Sequence, residues 1–435
     1  MPGTVALHTL GCKLNFSETS SIGREFMEHG FQVVDFSLPS DVYVINTCTV
    51  TATAEKECRQ IVRRALRNNP DACVIVTGCY AQLRPDEIVA IEGVDYILGT
   101  KEKFQLFSII KDLKKQSLAC VYVSPKDDLA GSFGFASSTD ADSRTRAFFK
   151  IQDGCDYKCS FCTIPLARGA SRSFHPDQAV DAFRQILDEG YKEIILTGVN
   201  VGEYGKALDT SLIRLLEKLL KIDGEYRLRI SSIEPNLLTD EIITLTRDSE
   251  KMAKHFHIPL QSGSEKVLKL MQRRYNAAFY GELIHKVAET VPGCAIGVDV
   301  IVGSPGETEE DFMETHRFIE ALPVSYLHAF TYSERPDTKA LTIEGKVDVV
   351  EKKKRNAILR MLSEKKKYAF QTKEVGTEQI VLFEHKAEDG MIRGFTSNYM
   401  RVVHPYVNAW ENQFVPVVIT SASPDIVTAK AITQV

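Results

Sequence analysis

The chain has 435 residues, of which 44% are apolar and 26% charged, and its formal net charge is −5. That length accommodates two to four domains, and the composition is that of a soluble globular protein, not of a disordered or fibrous one. The acidic balance excludes polyanion binding by bulk charge, and no apolar run approaches the roughly 18 residues of a membrane span. The N-terminus, MPGTVALHTLGCKLN, lacks the basic and apolar regions of a secretory signal, so a cytoplasmic location is expected. In chain order, VALHTL (5–10), DVYVINT (41–47), CVIVTG (73–78) and VDYILG (94–99) read as strands, with helices over 17–29 and 52–68. Strands alternating with helices predict an α/β domain over residues 1–120, a doubly wound parallel sheet. Residues 121–144 are rich in Ser, Asp and Gly and are expected to be a linker. A second α/β series then begins, with strands at 147–152, 193–198, 226–233, 256–261, 295–303 and 326–332. Six βα units over 145–372 predict a partial (β/α)6 barrel, whose site lies at the carboxyl ends of its strands. Residues 347–370 read as one long helix with Ile358, Met361 and Leu362 on its apolar side. The last stretch, 373–435, carries short β runs separated by turns and predicts a small antiparallel β-barrel.

Ten cysteines in a chain expected to be cytosolic point to metal or redox use wherever their spacing is special. Cys155, Cys159 and Cys162 lie within GCDYKCSFCTIP, three thiols in a C-x3-C-x2-C loop after the first barrel strand. Three readings are open. The loop can ligate three irons of a cubane cluster and leave the fourth iron open. It can hold structural zinc with His175 as fourth ligand, although no second paired hook is present. Or the thiols can be inert. Cys12, Cys48 and Cys79 each follow a strand-like run directly, and in an open parallel sheet those positions share the carboxyl edge, where ligands bind. Cys58, Cys73, Cys120 and Cys294 have no such placement and read as ordinary small hydrophobes. His255 and His257 flank a strand start and read as core histidines, with one of them facing the site as the alternative.

The CxxxCxxC pattern, with Phe161 before its last cysteine, resembles the radical S-adenosylmethionine (SAM) superfamily. Its continuation IPLARGASRS (164–173) is similar to the methylthiotransferase branch, and GCKLN (11–15), NTC (46–48) and GC (78–79) match that family's N-terminal motifs. The resemblance implies two [4Fe-4S] clusters, a radical SAM cluster on Cys155, Cys159 and Cys162 and an auxiliary one on Cys12, Cys48 and Cys79. It implies SAM as cofactor, bound at the open iron and cleaved to a 5′-deoxyadenosyl radical, with Phe161, Gly198, Ser232 and Gln261 as contacts. Residues 374–435 resemble a TRAM domain. The segment TYSERPDT (331–338) departs from the family, which usually has glycine where this chain has Asp337; that puts the local turn in question.

GCKLN, followed by Glu18, most resembles the branch that places a methylthio group at C2 of N6-threonylcarbamoyladenosine in tRNA. An isopentenyladenosine substrate and an aspartate of a ribosomal protein are the alternatives within the family, and a zinc-stabilised RNA-binding protein is the alternative outside it. The TRAM-like region holds four Lys/Arg and seven Asp/Glu, so it is not a basic clamp by itself. Positive charge is denser at Arg59, Arg63 and Arg67, which share a helical face, and between 352 and 367, which carries eight Lys/Arg against one Glu. Arg59, Arg63, Arg67, Lys353, Arg360, Arg393 and Arg401 are the expected contacts to a tRNA anticodon stem-loop. The expected partners are that RNA and a reducing donor of flavodoxin or ferredoxin type. The chain is expected to act as a monomer away from membranes.

Overall fold

A computed structural model of the protein describes residues 3–49, 52–129, 134–138, 145–386, 389–424 and 426–432. The N-terminal domain is built on a parallel sheet in the order β2-β1-β3-β4-β5-β6. Its strands are β1 (Thr4–Thr9), β2 (Gln32–Val34), β3 (Val42–Thr47), β4 (Cys73–Gly78), β5 (Tyr96–Leu98) and β6 (Cys120–Tyr122). Every residue of β3 and β4 is buried, because helices cover both faces of the sheet. Alternate residues feed two cores: Tyr43, Ile45, Val74 and Val76 on one side, Val42, Val44, Cys73 and Ile75 on the other. The helices expected over 17–29 and 52–68 are Lys13–Glu28 and Ala52–Asn68. The short edge strands β2 and β6 were not expected. Three residues with exposed Val33 and Val121 give no periodic signal. Strand β6 uses the first residues of the expected linker, and most of 130–144 lies outside the described residues.

The central domain carries all six expected strands. These are β7 (Arg146–Lys150), followed by β10 (Glu193–Thr197), β11 (Arg227–Ile230), β12 (His255–His257), β13 (Ala295–Val302) and β14 (Tyr326–Thr331). A small antiparallel pair, β8 (Gln152–Asp153) and β9 (Arg172–Ser173), brackets the cysteine loop. The six strands form two parallel three-stranded halves, β7-β10-β11 and β12-β13-β14. The halves are stitched where Ala253 N donates to Leu228 O (2.9 Å) and Ile233 N to His257 O (3.0 Å). One continuous apolar core fills the space between strands and helices.

The C-terminal domain is a closed barrel in the order β15-β16-β17-β19-β18. Its strands are β15 (Glu378–Lys386), β16 (Met391–Thr396), β17 (Arg401–Pro405), β18 (Phe414–Ala422) and β19 (Val427–Ala431). The expectation of a wholly antiparallel barrel is corrected at one seam: β17 and β19 run parallel, which closes five strands, an odd number, into a ring. This barrel is fastened over the central domain by Arg227, which donates to Phe395 O and Ile380 O (2.9 Å each).

The long helix spans Val349–Lys373 and is capped by Asp348, whose side chain accepts from Val350 N. Its apolar stripe differs from the expected one. Leu359 and Leu362 are buried, Ile358 is half-buried and Met361 is 61% exposed. The basic run is not a uniformly solvated face either. Lys352 is buried over the Tyr332 ring, and buried Arg355 pairs with Glu307 and Glu351. Aliphatic stems of long cations cover apolar surface, which a charge count in sequence does not reveal.

Candidate active site

Cys48 and Cys79 directly follow β3 and β4, and Cys12 lies three residues past the end of β1, so the sheet delivers all three to one carboxyl edge. Two glycines make the approach possible. Gly11 has φ +100°, and a Cβ there would lie 2.8 Å from Cys48 Sγ; Gly78 also has φ +100°, and a Cβ would meet Thr47 O at 2.3 Å. Asn15 ties the loops together by donating to Leu10 O (2.8 Å) and Thr47 O (3.0 Å). In the central domain the second triad is held by Cys155 N donating to Gly169 O and Cys162 N to Cys159 O, both 3.1 Å.

Each triad has one buried arginine donating to a cysteine. Arg168 Nε donates to Cys79 Sγ at 3.3 Å, while its Nη atoms reach Glu18, Asp153 (3.0 Å) and Asn15 Oδ1 (2.7 Å). Arg273 Nη1 donates to Cys159 Sγ at 3.0 Å and pairs with Glu234. Glu18, fully buried, also meets Lys103 and, at 3.0 Å, Lys150. Burial alone would raise its carboxyl, but Arg168, Lys103 and Lys150 hold it far below the usual range. Asp153 is held low in the same way by Lys150, Arg168 and Arg172. These six residues set four cations against two carboxylates in a buried layer that touches Cys79 through Arg168, and they join the N-terminal domain to the central one.

Burial pushes Cys162 up to about 12 and raises Cys155, Cys159 and Cys79, so these thiols stay protonated at neutral pH until a metal takes the proton's place. The spacing of the thiols fits iron–sulfur clusters and opposes zinc. Tetrahedral Zn–S bonds of about 2.3 Å gather sulfurs to within about 4 Å of one another. Among the described residues, only His257, Asp299 and His328 bring three such ligand atoms within 4.8 Å of one another, so neither cysteine triad is gathered that tightly. A cubane spreads its thiolates over separate irons, which suits the wider spacing of each triad; the count of three thiols suits either metal. His175 is exposed at the start of the Pro176–Asp188 helix and joins no such group.

Two adjoining cavities face these cysteines. One, of about 710 Å³, is lined by Cys12, Cys48 and Cys79, by the barrel strand ends Gly198, Ser232 and Arg229, and by Tyr399 of the C-terminal barrel. The other, of about 680 Å³, is lined by Phe161, Cys162, Gln261 and Tyr332. Ile164, Asp299 and Phe330 border both. Gln261, in a left-handed conformation (φ 68°), has a buried Oε1 without a hydrogen-bond partner, and so does Tyr332 at its hydroxyl. A polar ligand beside Cys162 would satisfy both atoms, as the amine, carboxylate and ribose of SAM can. Of the expected SAM contacts, Phe161 and Gln261 thus lie in the cavity beside Cys162, and Gly198 and Ser232 in the chamber of the other triad.

His255 is buried as a core histidine, with Nε2 2.8 Å from the Tyr326 hydroxyl, while half-buried His257 faces the site, the alternative open to one of the pair. Both line the first chamber, with His257 Nε2 2.9 Å from Asp299 Oδ1. Asp299, His328, Arg229 and Lys13 were not singled out in the sequence, since no local spacing marks residues gathered from separate strand ends. Asp337 takes the left-handed conformation (φ 64°) that glycine favours, and an ion pair with Arg84 holds it there, so the turn is kept without the glycine. Arg59, Arg63 and Arg67 line a separate groove with Lys115, beside Pro70 and Gly93, at the opposite edge of the sheet from the cysteines. Lys353, Arg360 and Arg401 are exposed, and Arg393 pairs with Asp389.

Residues 149–319 match the model of the radical SAM superfamily, and residues 4–99 match a family described as uncharacterized protein family UPF0004. The structure of the radical SAM methyltransferase TsrM from Kitasatospora setae superposes with a TM-score of 0.55 at 16% identity, over 78% of this chain and 77% of that one, a likeness of fold. The fold and the cysteine loop define a radical SAM enzyme, of a superfamily that uses SAM and a [4Fe-4S] cluster, carrying a second thiolate triad on its N-terminal sheet.

The threonylcarbamoyladenosine tRNA methylthiotransferase MtaB of Bacillus subtilis (strain 168) is 45% identical, over 92% of this chain and 90% of that protein. The protein of that name from Aquifex aeolicus is 39% identical over 86% and 91%. A tRNA-2-methylthio-N(6)-dimethylallyladenosine synthase of Methylacidiphilum infernorum is 31% identical over 97% and 93%. The chain belongs to the radical SAM tRNA methylthiotransferase family, in its threonylcarbamoyladenosine branch. Among the described residues no helix is long and apolar enough to cross a membrane.

Proposed function

We propose that the chain replaces the C2 hydrogen of N6-threonylcarbamoyladenosine at tRNA position 37 with a methylthio group. The observation that carries this reading is the pair of adjoining cavities, one bordered by Cys12, Cys48 and Cys79 and the other by Cys162, with Ile164, Asp299 and Phe330 shared between them. Cys155, Cys159 and Cys162 would hold the radical SAM cluster, and Cys12, Cys48 and Cys79 the auxiliary cluster. When bound, the clusters and SAM supply the radical, the sulfur and the methyl group, chemistry that side chains alone cannot perform on an unactivated C–H bond.

The protein's own residues place and enclose the reactants. Phe161 and Gln261 form the wall of the SAM cavity, Gly198 and Ser232 keep the neighbouring strand ends small, and Tyr399 closes the substrate chamber. Arg59, Arg63, Arg67, Lys353, Arg360, Arg393 and Arg401 would contact the phosphates of the anticodon stem-loop, by electrostatics that carry no sequence preference. The tRNA is read in the cytoplasm by a monomer, with electrons from a flavodoxin or ferredoxin type of donor.

Two measurements test this. Mass spectrometry of tRNA nucleosides from cells lacking the gene should show loss of 2-methylthio-N6-threonylcarbamoyladenosine; unchanged nucleosides would refute it. Anaerobically reconstituted protein should bind about eight irons with matching sulfide, and Cys155→Ala, Cys159→Ala and Cys162→Ala together should leave about four.

A further inference from the structure

We infer that the ammonium of Lys13, together with the unpaired Nη1 of Arg229, reads the threonyl carboxylate of the substrate nucleoside; this rests on the function proposed above. Arg229 is buried, 2% exposed at its side chain, and its Nε and Nη2 are engaged by Glu193 at 2.9 and 3.2 Å. Its Nη1 is buried without a hydrogen-bond partner, in a residue that lines the chamber. A buried guanidinium nitrogen left unsatisfied is costly, so this one is built for a ligand atom.

The charge of the neighbourhood fits an anion. Glu193 is a single carboxylate facing two guanidiniums, those of Arg227 and Arg229, which leaves positive charge in excess beside the chamber. Lys13 adds a second cation. It lines the same chamber and has no carboxylate partner among the described residues. Its Nζ lies 5.9 Å from the centre of the Tyr399 ring, and the Arg229 guanidinium lies 4.8 Å from the same centre. Both cations therefore lie against the Tyr399 ring at the chamber wall. His255 stands 4.8 Å from that ring, with its Nδ1 also unpartnered. Burial and the charges of Arg229 and Lys13 keep its imidazole neutral, so it offers a neutral hydrogen-bonding atom there and no competing charge. The one carboxylate lining this chamber, Asp299, is engaged by His257.

The covalent structure of the substrate supplies the geometry. C2 and the carbon bearing N6 are separated by the single ring atom N1. An adenine that presents C2 to the cysteine edge therefore carries its N6 substituent alongside that edge. Lys13 directly follows Cys12 in the chain and lines the same chamber, on the side where that substituent would run. Lys13 stands at the exposed mouth of the chamber, so an uncharged N6 group would forgo its attraction and would leave the buried Arg229 Nη1 without a partner, which is how a site built for a charge disfavours a neutral analogue.

The experiment uses reconstituted full-length enzyme and two synthetic anticodon stem-loops. One carries N6-threonylcarbamoyladenosine and the other the same nucleoside with its carboxylate converted to a carboxamide. Wild-type enzyme should prefer the acid by about ten- to a hundredfold in kcat/KM, the range of a charge-assisted hydrogen bond, with most of the difference in KM. In Lys13→Gln, with iron and sulfide content equal to wild type, the preference should fall to about threefold or less, and Lys13→Arg should restore it. Equal turnover of acid and carboxamide by the wild type would overturn the inference without any variant. So would a Lys13→Gln enzyme that loses activity on both RNAs by the same factor. Failure of the wild type to modify the acid RNA would instead refute the proposed function.

Discussion

Replacing Glu18 with glutamine removes one carboxylate from the most heavily charged buried layer of the protein. Glu18 sits with side chains of Lys103, Lys150 and Arg168 that are all within 1% of complete burial, with contacts of 2.9 Å to Arg168 and 3.0 Å to Lys150. In the native layer two carboxylates face Lys103, Lys150, Arg168 and, at its edge, Arg172; after the substitution Asp153 alone faces them. Removing one partner of a buried pair costs about 3–5 kcal/mol, because the cations left behind have neither water nor a counter-charge. A domain is stable by only about 5–15 kcal/mol, so the loss is a large share of the total. Lys103 belongs to the N-terminal domain and Lys150 and Arg168 to the central one, so the variant should also loosen their contact. Urea unfolding of the cluster-free protein should show the N-terminal domain melting at lower denaturant. The pH dependence has a definite sign. The folded carboxyl lies below its unfolded value of 4.5, so its contribution is complete above that pH and is lost as the pH falls below it. The wild type should therefore lose stability on acidification from pH 5 more steeply than Glu18→Gln. A variant as stable as wild type, with an unchanged acid limb, would refute the claim that this layer holds the two domains together.

Arg273→Gln should lower the midpoint potential of the cluster on Cys155, Cys159 and Cys162, because a hydrogen bond to a ligating sulfur favours the reduced cluster; potentiometry with electron paramagnetic resonance detects this. Asp337→Gly should leave thermal stability near wild type, since relief of the left-handed backbone offsets loss of the Arg84 pair. Asp337→Val should cost about 1–2 kcal/mol, read by denaturant titration. If the groove beside Arg63 contacts phosphate, Arg63→Ala should weaken binding of any stem-loop uniformly and reduce the slope of log K against log salt by about 1. An unchanged slope would remove that face from the RNA interface.

The sequence by itself determined the order of domains, the six strands of the central series and the two cysteine triads. Those features depend on local signals: apolar runs of strand length, turn residues, and cysteines placed directly after strands. The departures have equally local causes. Strands β2 and β6 are too short to show a period, and Asp337 hides a turn that glycine would have advertised. Only the tertiary structure decided what surrounds the cysteines. Arg168 and Arg273 reach their sulfur partners across 89 and 114 residues of chain, and Glu18 meets Lys150 across 132. Lys13, Arg229, His255 and Tyr399 come from three domains to one chamber wall. No spacing in a linear sequence records such meetings, because they follow from how strand ends of separate sheets are brought edge to edge. Burial then gives the meetings their chemical meaning, since an unpaired nitrogen or a surplus charge matters only where water cannot answer it.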